Sequence, residues 1–489
     1  MTLAASPRDQ RLRAPAARRP GLVLAFLCVV QSTVYLDVTI VNVALPSIQH
    51  SLGMADGDLQ FVVTAYGTVL GGFLLLGGRL ADTLGRRRLL RTGLAFFGAA
   101  SLAAGLAHDP GLLISARAVQ GFGAALTAPA ALSTLTATFT EGAERTKALG
   151  IWGALAGVAS VLGVLLGGLL TQGPGWRWVF FINVPIALLA LVAAPYVLPE
   201  SRLPDARRRF DTGGAVTLTA GLLLLVHTLD QAVSAGWSDA GTVGGLAGAA
   251  LLLAAFAVLE TRAQAPLLPG RVLRLPALRA ANLGTVLTLG AMATLFFFAS
   301  LFMQQVLGYD ALKTGLAYVP LAVAVTVGAG AASGLVARFP GKPVLMAGLA
   351  LGAAGLLLLA RLPVGAGYAA DVLPPFLMVG VGLGMSFVPL QIAAAHGVAE
   401  SDAGVAAGLI NTSQEAGGAL GVAVISAAAF SRIGHLLAPG SSAAPGTAAL
   451  RAARAGGYHH AFFLAACFAL AALAAVAVLL PVIRPARQP

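Results

Sequence analysis

The sequence predicts an all-α integral membrane protein with fourteen transmembrane helices grouped as six, two and six. Three observations predict it. The 489 residues are 58% hydrophobic and only 10% charged, with a mean hydropathy of +0.85, whereas a soluble chain carries about 25% charge and roughly 45–50% apolar residues. Fourteen mostly apolar runs follow one another, each near the ~20 residues that a helix needs to cross a bilayer. The runs are continuously apolar, without the alternation of barrel strands. That much apolar surface cannot be hidden in one or two soluble cores, so a soluble enzyme is excluded. The 60 glycines sit inside the runs without a three-residue period, as membrane helices tolerate. Cys28 and Cys467 lie in apolar stretches, which argues against a disulfide framework and against a cysteine metal site.

The first run, near 21–43, is read as a retained helix and not as a signal peptide, because of its length and the thirteen runs behind it. The second to sixth lie near 59–79, 90–107, 112–138, 147–171 and 178–198. The seventh and eighth, near 212–231 and 240–260, stand between two arginine-bearing connections. The last six lie near 281–304, 314–336, 343–362, 371–394, 404–429 and 459–483. With the N-terminus inside, 24 of the 31 Lys and Arg fall in cytoplasmic segments, six fall outside and Arg117 is embedded. The positive-inside rule therefore places both termini in the cytoplasm and the chain in the cell membrane. It also accounts for the net charge of +12 as membrane orientation, and nucleic acid is not an expected partner.

An internal repeat supports the grouping. Gly78-Arg79-Leu80-Ala81-Asp82-Thr83-Leu84-Gly85-Arg86 matches Gly334-Leu335-Val336-Ala337-Arg338-Phe339-Pro340-Gly341-Lys342 at Gly, Ala, Gly and a cation. Transporters are commonly built from such repeated halves with substrate bound between them. The expected division is a six-helix half over 1–199, a two-helix insert over 200–270 and a second six-helix half over 271–489.

Embedded ionisable groups point to the pathway, because a charge in hydrocarbon is costly and usually faces a cavity. Asp37 lies roughly 24 Å along the first helix at ~1.5 Å per residue. Arg117 lies roughly 8 Å below the outer face in the fourth. The two reach similar depth, so a pair across a central cavity is expected. Glu415, roughly 16 Å into the thirteenth helix, falls near the midplane. Gln31, Asn42, Gln120, Gln304, Gln305 and Asn411 are polar residues that would line a cavity or bond between helices. His227, His459 and His460 read as interfacial, and no metal site is expected. In the fifth helix, Gly163 and Gly167 form a small-xxx-small face that admits a close neighbour. In the loop after the second, Gly85 permits a tight turn and Asp82 is an acid among arginines, suited to a latch that closes in one conformation.

Four motifs give the chain a family resemblance over nearly its whole length. They are Leu36-Asp37-Val38-Thr39-Ile40-Val41-Asn42-Val43-Ala44-Leu45-Pro46; the loop Gly78, Asp82, Gly85, Arg86, Arg87; Arg117-Ala118-Val119-Gln120-Gly121-Phe122-Gly123; and the ladder Gly157, Gly163, Gly167, Gly168. Trp176-Arg177-Trp178-Val179-Phe180-Phe181-Ile182-Asn183-Val184-Pro185 adds to them. With these motifs the chain resembles the major facilitator superfamily, in particular its fourteen-helix drug:proton antiporter branch. The resemblance implies a major facilitator fold and export of amphipathic small molecules, cationic ones included, such as drugs and antibiotics. It implies proton coupling through Asp37 and Arg117. Glu415 stands where the family more often has a neutral or basic side chain, and is read from this sequence alone as a further coupling carboxylate. The resemblance also implies a latch in the Gly78–Arg87 loop and an antiporter motif in the glycine ladder. Val164 stands where that motif usually carries proline. A proton gradient would supply the energy, with no cofactor, and a monomer in the lipid bilayer is expected. An importer or uniporter of a small metabolite is the alternative on the same fold, and a channel or non-transporting scaffold the alternative of another class. No GxxxxGK[ST] phosphate loop occurs, and no nucleophile–base pair or metal cluster suggests an enzyme.

Overall fold

The computed structural model describes residues 20–139, 143–198, 212–236, 239–263, 270–336, 338–398, 403–437 and 447–481. Among them fourteen long helices follow in order. They are α1 Pro20–Leu52, α2 Leu59–Leu84, α3 Arg86–Gly105, α4 Pro110–Thr138, α5 Ala143–Gln172 and α6 Trp178–Val197. Then come α7 Thr212–Ala235, α8 Ala240–Arg262, α9 Pro276–Val306, α10 Ala311–Val336 and α11 Gly341–Leu359. The chain ends with α12 Tyr368–Ala395, α13 Ala403–Leu436 and α14 Thr447–Leu479. Nine helices among the described residues are long and apolar enough on their own to cross a bilayer.

The ends of these helices follow from local chemistry. Asp109 caps α4 by accepting from Leu112 N at 2.9 Å, with Pro110 in the first turn. Asp239 caps α8 in the same way, accepting from Gly241 N at 2.8 Å. Gly85, at φ 103°, turns α2 directly into α3, a backbone conformation open to glycine. Two predicted boundaries move most. The first helix runs past 43 to Leu52 and contains Pro46, which a membrane helix tolerates. The last begins at Thr447, twelve residues before the predicted start. α6 is interrupted at Ile182, between Trp178–Phe181 and Asn183–Val197.

Packing repeats along the chain. α2 with α4, α3 with α4, α1 with α5 and α3 with α6 recur as α10 with α12, α11 with α12, α9 with α13 and α11 with α14. At the arginine-rich end, Arg87 Nη1 donates to Leu198 O at 3.2 Å, at the C-terminus of α6, and Lys342 Nζ donates to Ala477 O and Leu480 O, both at 2.8 Å, at the C-terminus of α14. A cation thus meets the carbonyl end of the sixth helix of each set. These contacts match Lys342 to Arg87, one residue from the Arg86 of the sequence alignment. The short sequence match fixes the repeat only to within a residue, and the carbonyl ends decide it.

The α7–α8 hairpin packs against α2 and α13, and Thr219 Oγ1 donates to Gly72 O at 2.6 Å. The connections 199–211 and 264–269 lie outside the described residues.

Candidate functional site

Asp37 and Arg117 meet. Arg117 Nη1 donates to Asp37 Oδ2 at 2.5 Å and to Gln120 Oε1 at 2.7 Å, while Arg117 Nε donates to Val62 O at 2.9 Å. Gln120 Nε2 donates to Asp37 Oδ1 at 2.7 Å and to Ser101 Oγ at 2.9 Å. Asn183 Nδ2 donates to Asp37 Oδ1 at 2.8 Å. The guanidinium lies 4.3 Å from the Tyr66 ring centroid and 5.9 Å from that of Phe180. Five helices therefore converge: α1 brings the carboxylate, α4 the guanidinium and Gln120, α3 Ser101, α2 Tyr66 and Val62, and α6 Asn183 and Phe180.

The sequence reading placed this pair across a central cavity. The structure seals it inside one packed set of helices, with Asp37 0% and Arg117 1% exposed. Depth along two helices brings residues to one level but leaves open the direction each side chain faces. Gln120 is with them, fully buried in the cluster. Asn183 and Ser101 were not singled out as site residues. The signal for Asn183 was present, a lone amide inside the apolar sixth run.

A second group joins α1 to α9 at the opposite end from the arginines. Ser300 Oγ donates to Asn42 O at 2.8 Å, Gln304 Nε2 to Val43 O at 3.0 Å and Gln305 Nε2 to Gln49 Oε1 at 2.9 Å. Tyr458 Oη donates to Gln305 Oε1 at 2.5 Å. The last turn of α9, Phe302–Val306, is a π-helix, which carries Gln304 and Gln305 into this seam. Gln304 and Gln305 thus bond between the helix sets, one of the two roles their polarity allows, while Asn42 lends its backbone carbonyl and keeps its own Nδ2 on Val38 O at 2.9 Å within α1.

Glu415 lies on α13 against Gly71 of α2, where an added Cβ would come within 3.2 Å of Glu415 Cβ. Its carboxylate has no hydrogen-bond or ion-pair partner among the described residues and is within electrostatic reach of the Tyr35 and Tyr66 hydroxyls. Gln31 is buried, its Oε1 without a partner among the described residues, and Asn411 is half-buried one turn before Glu415.

The glycine ladder separates two neighbours. A Cβ on Gly163 would fall on the Thr39 side chain, and one on Gly167 would come within 2.7 Å of Ile40 O, so both face α1. A Cβ on Gly168 would come within 2.7 Å of Ala311 O, at the start of α10. α5 runs unbroken through Val164. Of Gly157, only its place in α5 is described. In the arginine loop, Gly78 faces Pro129, Gly85 makes the turn, and Arg86 opens α3. The side chain of Asp82 lies outside the described residues.

In the matching helices of the other set, an aromatic sandwich replaces the charges. Phe296 of α9 stacks on Tyr318 of α10 at 5.4 Å, and Tyr318 stacks on Phe376 of α12 at 5.5 Å. No group of three or more potential metal ligands occurs among the described residues.

A family model described as Major Facilitator Superfamily matches residues 27–422. A puromycin resistance protein of Streptomyces alboniger is 39% identical over 466 residues, covering 94% of this chain and 90% of its own. A cephamycin export protein of Amycolatopsis lactamdurans is 41% identical over 467 residues, covering 95% and 92%. A tetracenomycin C resistance and export protein of Streptomyces glaucescens is 36% identical over 419 residues, covering 86% and 77%. Among solved structures, a bacterial homologue of the human lysosomal transporter Spinster, inward-facing and unoccupied, matches with a TM-score of 0.67 at 15% identity. That match covers 96% of this chain and 100% of the other.

Proposed function

This chain belongs to the Major Facilitator Superfamily, and on that premise we propose that it exports amphipathic, antibiotic-sized molecules across the cytoplasmic membrane by proton antiport. It is a transporter and not an enzyme. Relatives that cover most of its length are export or resistance proteins for puromycin, cephamycin and tetracenomycin C, which supports a drug efflux role. The arginine-rich end is the cytoplasmic end, with both termini there. The α1–α9 seam then closes the outer side, in keeping with an inward-open stage of alternating access. The working unit is a monomer that needs no cofactor, built as 1–199, 200–270 and 271–489.

The observation that carries the coupling reading is the sealed Asp37–Arg117 pair. A carboxylate within a membrane bundle is expensive unless matched, and here one guanidinium and two amides match it, so an incoming proton would compete with those partners. Glu415, unpaired and facing α2, is the second acidic group and the natural partner for a cationic substrate. Asp82 with Gly78, Gly85, Arg86 and Arg87 forms the latch on the cytoplasmic side, and Gly157, Gly163, Gly167 and Gly168 seal the interface that α5 makes.

The test is transport in proteoliposomes under an imposed pH gradient. Asp37→Asn keeps the volume and removes the titrating group, so gradient-driven efflux stops while substrate still binds. Parental rates in that variant would transfer the coupling role to Glu415.

A further inference from the structure

The Trp176–Pro185 motif has no part in the scheme above beyond closing over Arg117, yet it delivers Asn183 to Asp37. Among the described residues Asp37 has three side-chain partners, and they differ in what they can do once a proton arrives. Arg117 can only donate. Gln120 has its amide oxygen occupied by Arg117 Nη1 and its nitrogen shared between Asp37 and Ser101. Of these three, Asn183 keeps an unused acceptor, because its Oδ1 is buried without a hydrogen-bond partner among the described residues while its Nδ2 serves Asp37 Oδ1. Arg117 from α4 and Tyr66 from α2 are the titratable groups facing Asp37. α3 and α6 add Ser101, Phe180 and Asn183, and α5 packs against α1 with its glycines.

We infer that Asn183 is the positioning residue for proton uptake, donating to the Asp37 carboxylate and, by turning its amide, accepting from the Asp37 carboxylic acid. The inference rests on Asp37 being the coupling site. A proton from solvent binds Oδ1, and the new O–H requires an acceptor in a site closed to bulk water. Rotation of the Asn183 amide about its last bond exchanges Nδ2 for Oδ1 at one position, so the protonated state has a bonded partner without rearranging Arg117. An unbonded O–H or carboxylate in such a place is penalised. The amide thus keeps the Asp37 side of the contact bonded in both halves of the cycle.

The isosteric pair Asn183→Thr and Asn183→Val tests this, since a threonine hydroxyl donates and accepts and valine does neither. Both variants are measured for pH-gradient-driven transport and for substrate counterflow without a gradient, beside Asp37→Asn. We expect Asn183→Val to lose about tenfold in gradient-driven transport, the scale of one hydrogen bond to a charged group, with counterflow near the parental rate. Asn183→Thr should keep most of both activities. Equal gradient-driven rates in Val and Thr variants, or counterflow falling in step with coupled transport, would overturn the inference. If Asn183→Val does not accumulate in membranes, pH-difference infrared spectra decide. The carbonyl band of protonated Asp37, identified by its loss in Asp37→Asn, should move between parent and Asn183→Thr, and an unmoved band overturns the assignment. Gradient-driven transport surviving in Asp37→Asn itself would instead refute the underlying coupling reading.

Discussion

α4 and α12 hold matching places in the two helix sets, and the same backbone geometry carries opposite chemistry. A Cβ on Gly123 would come within 2.5 Å of Phe97 N and 2.8 Å of Gly93 O on α3, and one on Gly382 within 2.5 Å of Gly352 N and 2.6 Å of Gly348 O on α11. Four residues before the glycine that precedes each stands Arg117 or Phe376. Arg117 lies on Tyr66 and binds Asp37, whereas Phe376 lies on Tyr318, whose hydroxyl donates to Phe296 O at 2.8 Å. Aromatic stacking suffices to fill the site, so the charges in the first set are not needed for packing. Burying an ion pair is often no better for stability than an apolar replacement. The difference separates what the architecture requires from what the chemistry of coupling requires.

The largest expected effect breaks the charged side alone. Arg117→Met leaves the Asp37 carboxylate buried without its cation and should cost about 3–5 kcal/mol, read by chemical unfolding in detergent. The double variant Asp37→Leu with Arg117→Met imitates the aromatic half by removing both charges. It should recover to within about 1 kcal/mol of the parent, with gradient-driven transport still absent. Stability that stays low in the double variant would mean that the pair is structural. Next in size are Gly123→Ala and Gly382→Ala, each expected to cost about 1–3 kcal/mol through overpacking. If the shared backbone geometry is the scaffold, the two losses are similar, and a large disparity would separate the two halves mechanically. Smaller still are Arg87→Met and Lys342→Met, about 0.3–1 kcal/mol each for a cation at a helix C-terminus, again matched between halves. Glu415→Gln should leave unfolding unchanged and alter the resistance profile in drug-sensitive cells, weakening export of cationic compounds several-fold more than neutral ones. A profile identical to the parent's places Glu415 off the substrate path.

Much of this was legible in the chain itself. Fourteen apolar runs became fourteen helices because a membrane span has little choice of structure. Asp37 and Arg117 stood out because charge inside an apolar run is conspicuous, and counting along each helix brought them to one level. Their burial within a single helix set was not legible, since rotation of a helix about its axis is decided by neighbours such as Phe180 and Tyr66 that contribute only apolar or neutral letters. Asn183 hid for a related reason, because an amide reads the same whether it meets lipid-facing carbonyls or a carboxylate. For Gln304 and Gln305 the choice between lining a cavity and bonding between helices was not legible, because no sequence pattern announces the π-turn that carries them to α1.

The crossing of α5 between α1 and α10 has a mechanical consequence. Gly167 and Gly168 are adjacent, yet one meets the backbone of α1 beside Ile40 and the other the backbone of α10 at Ala311. Most helix pairs mesh like gears, with side-chain ridges seated in grooves that must unseat before anything slides. Here the surfaces are main chain on main chain at both glycines, a joint without teeth. A tilt of α1 relative to α5 then has few rotamers to unlock at this joint, because the two glycines bring backbone against backbone on both sides.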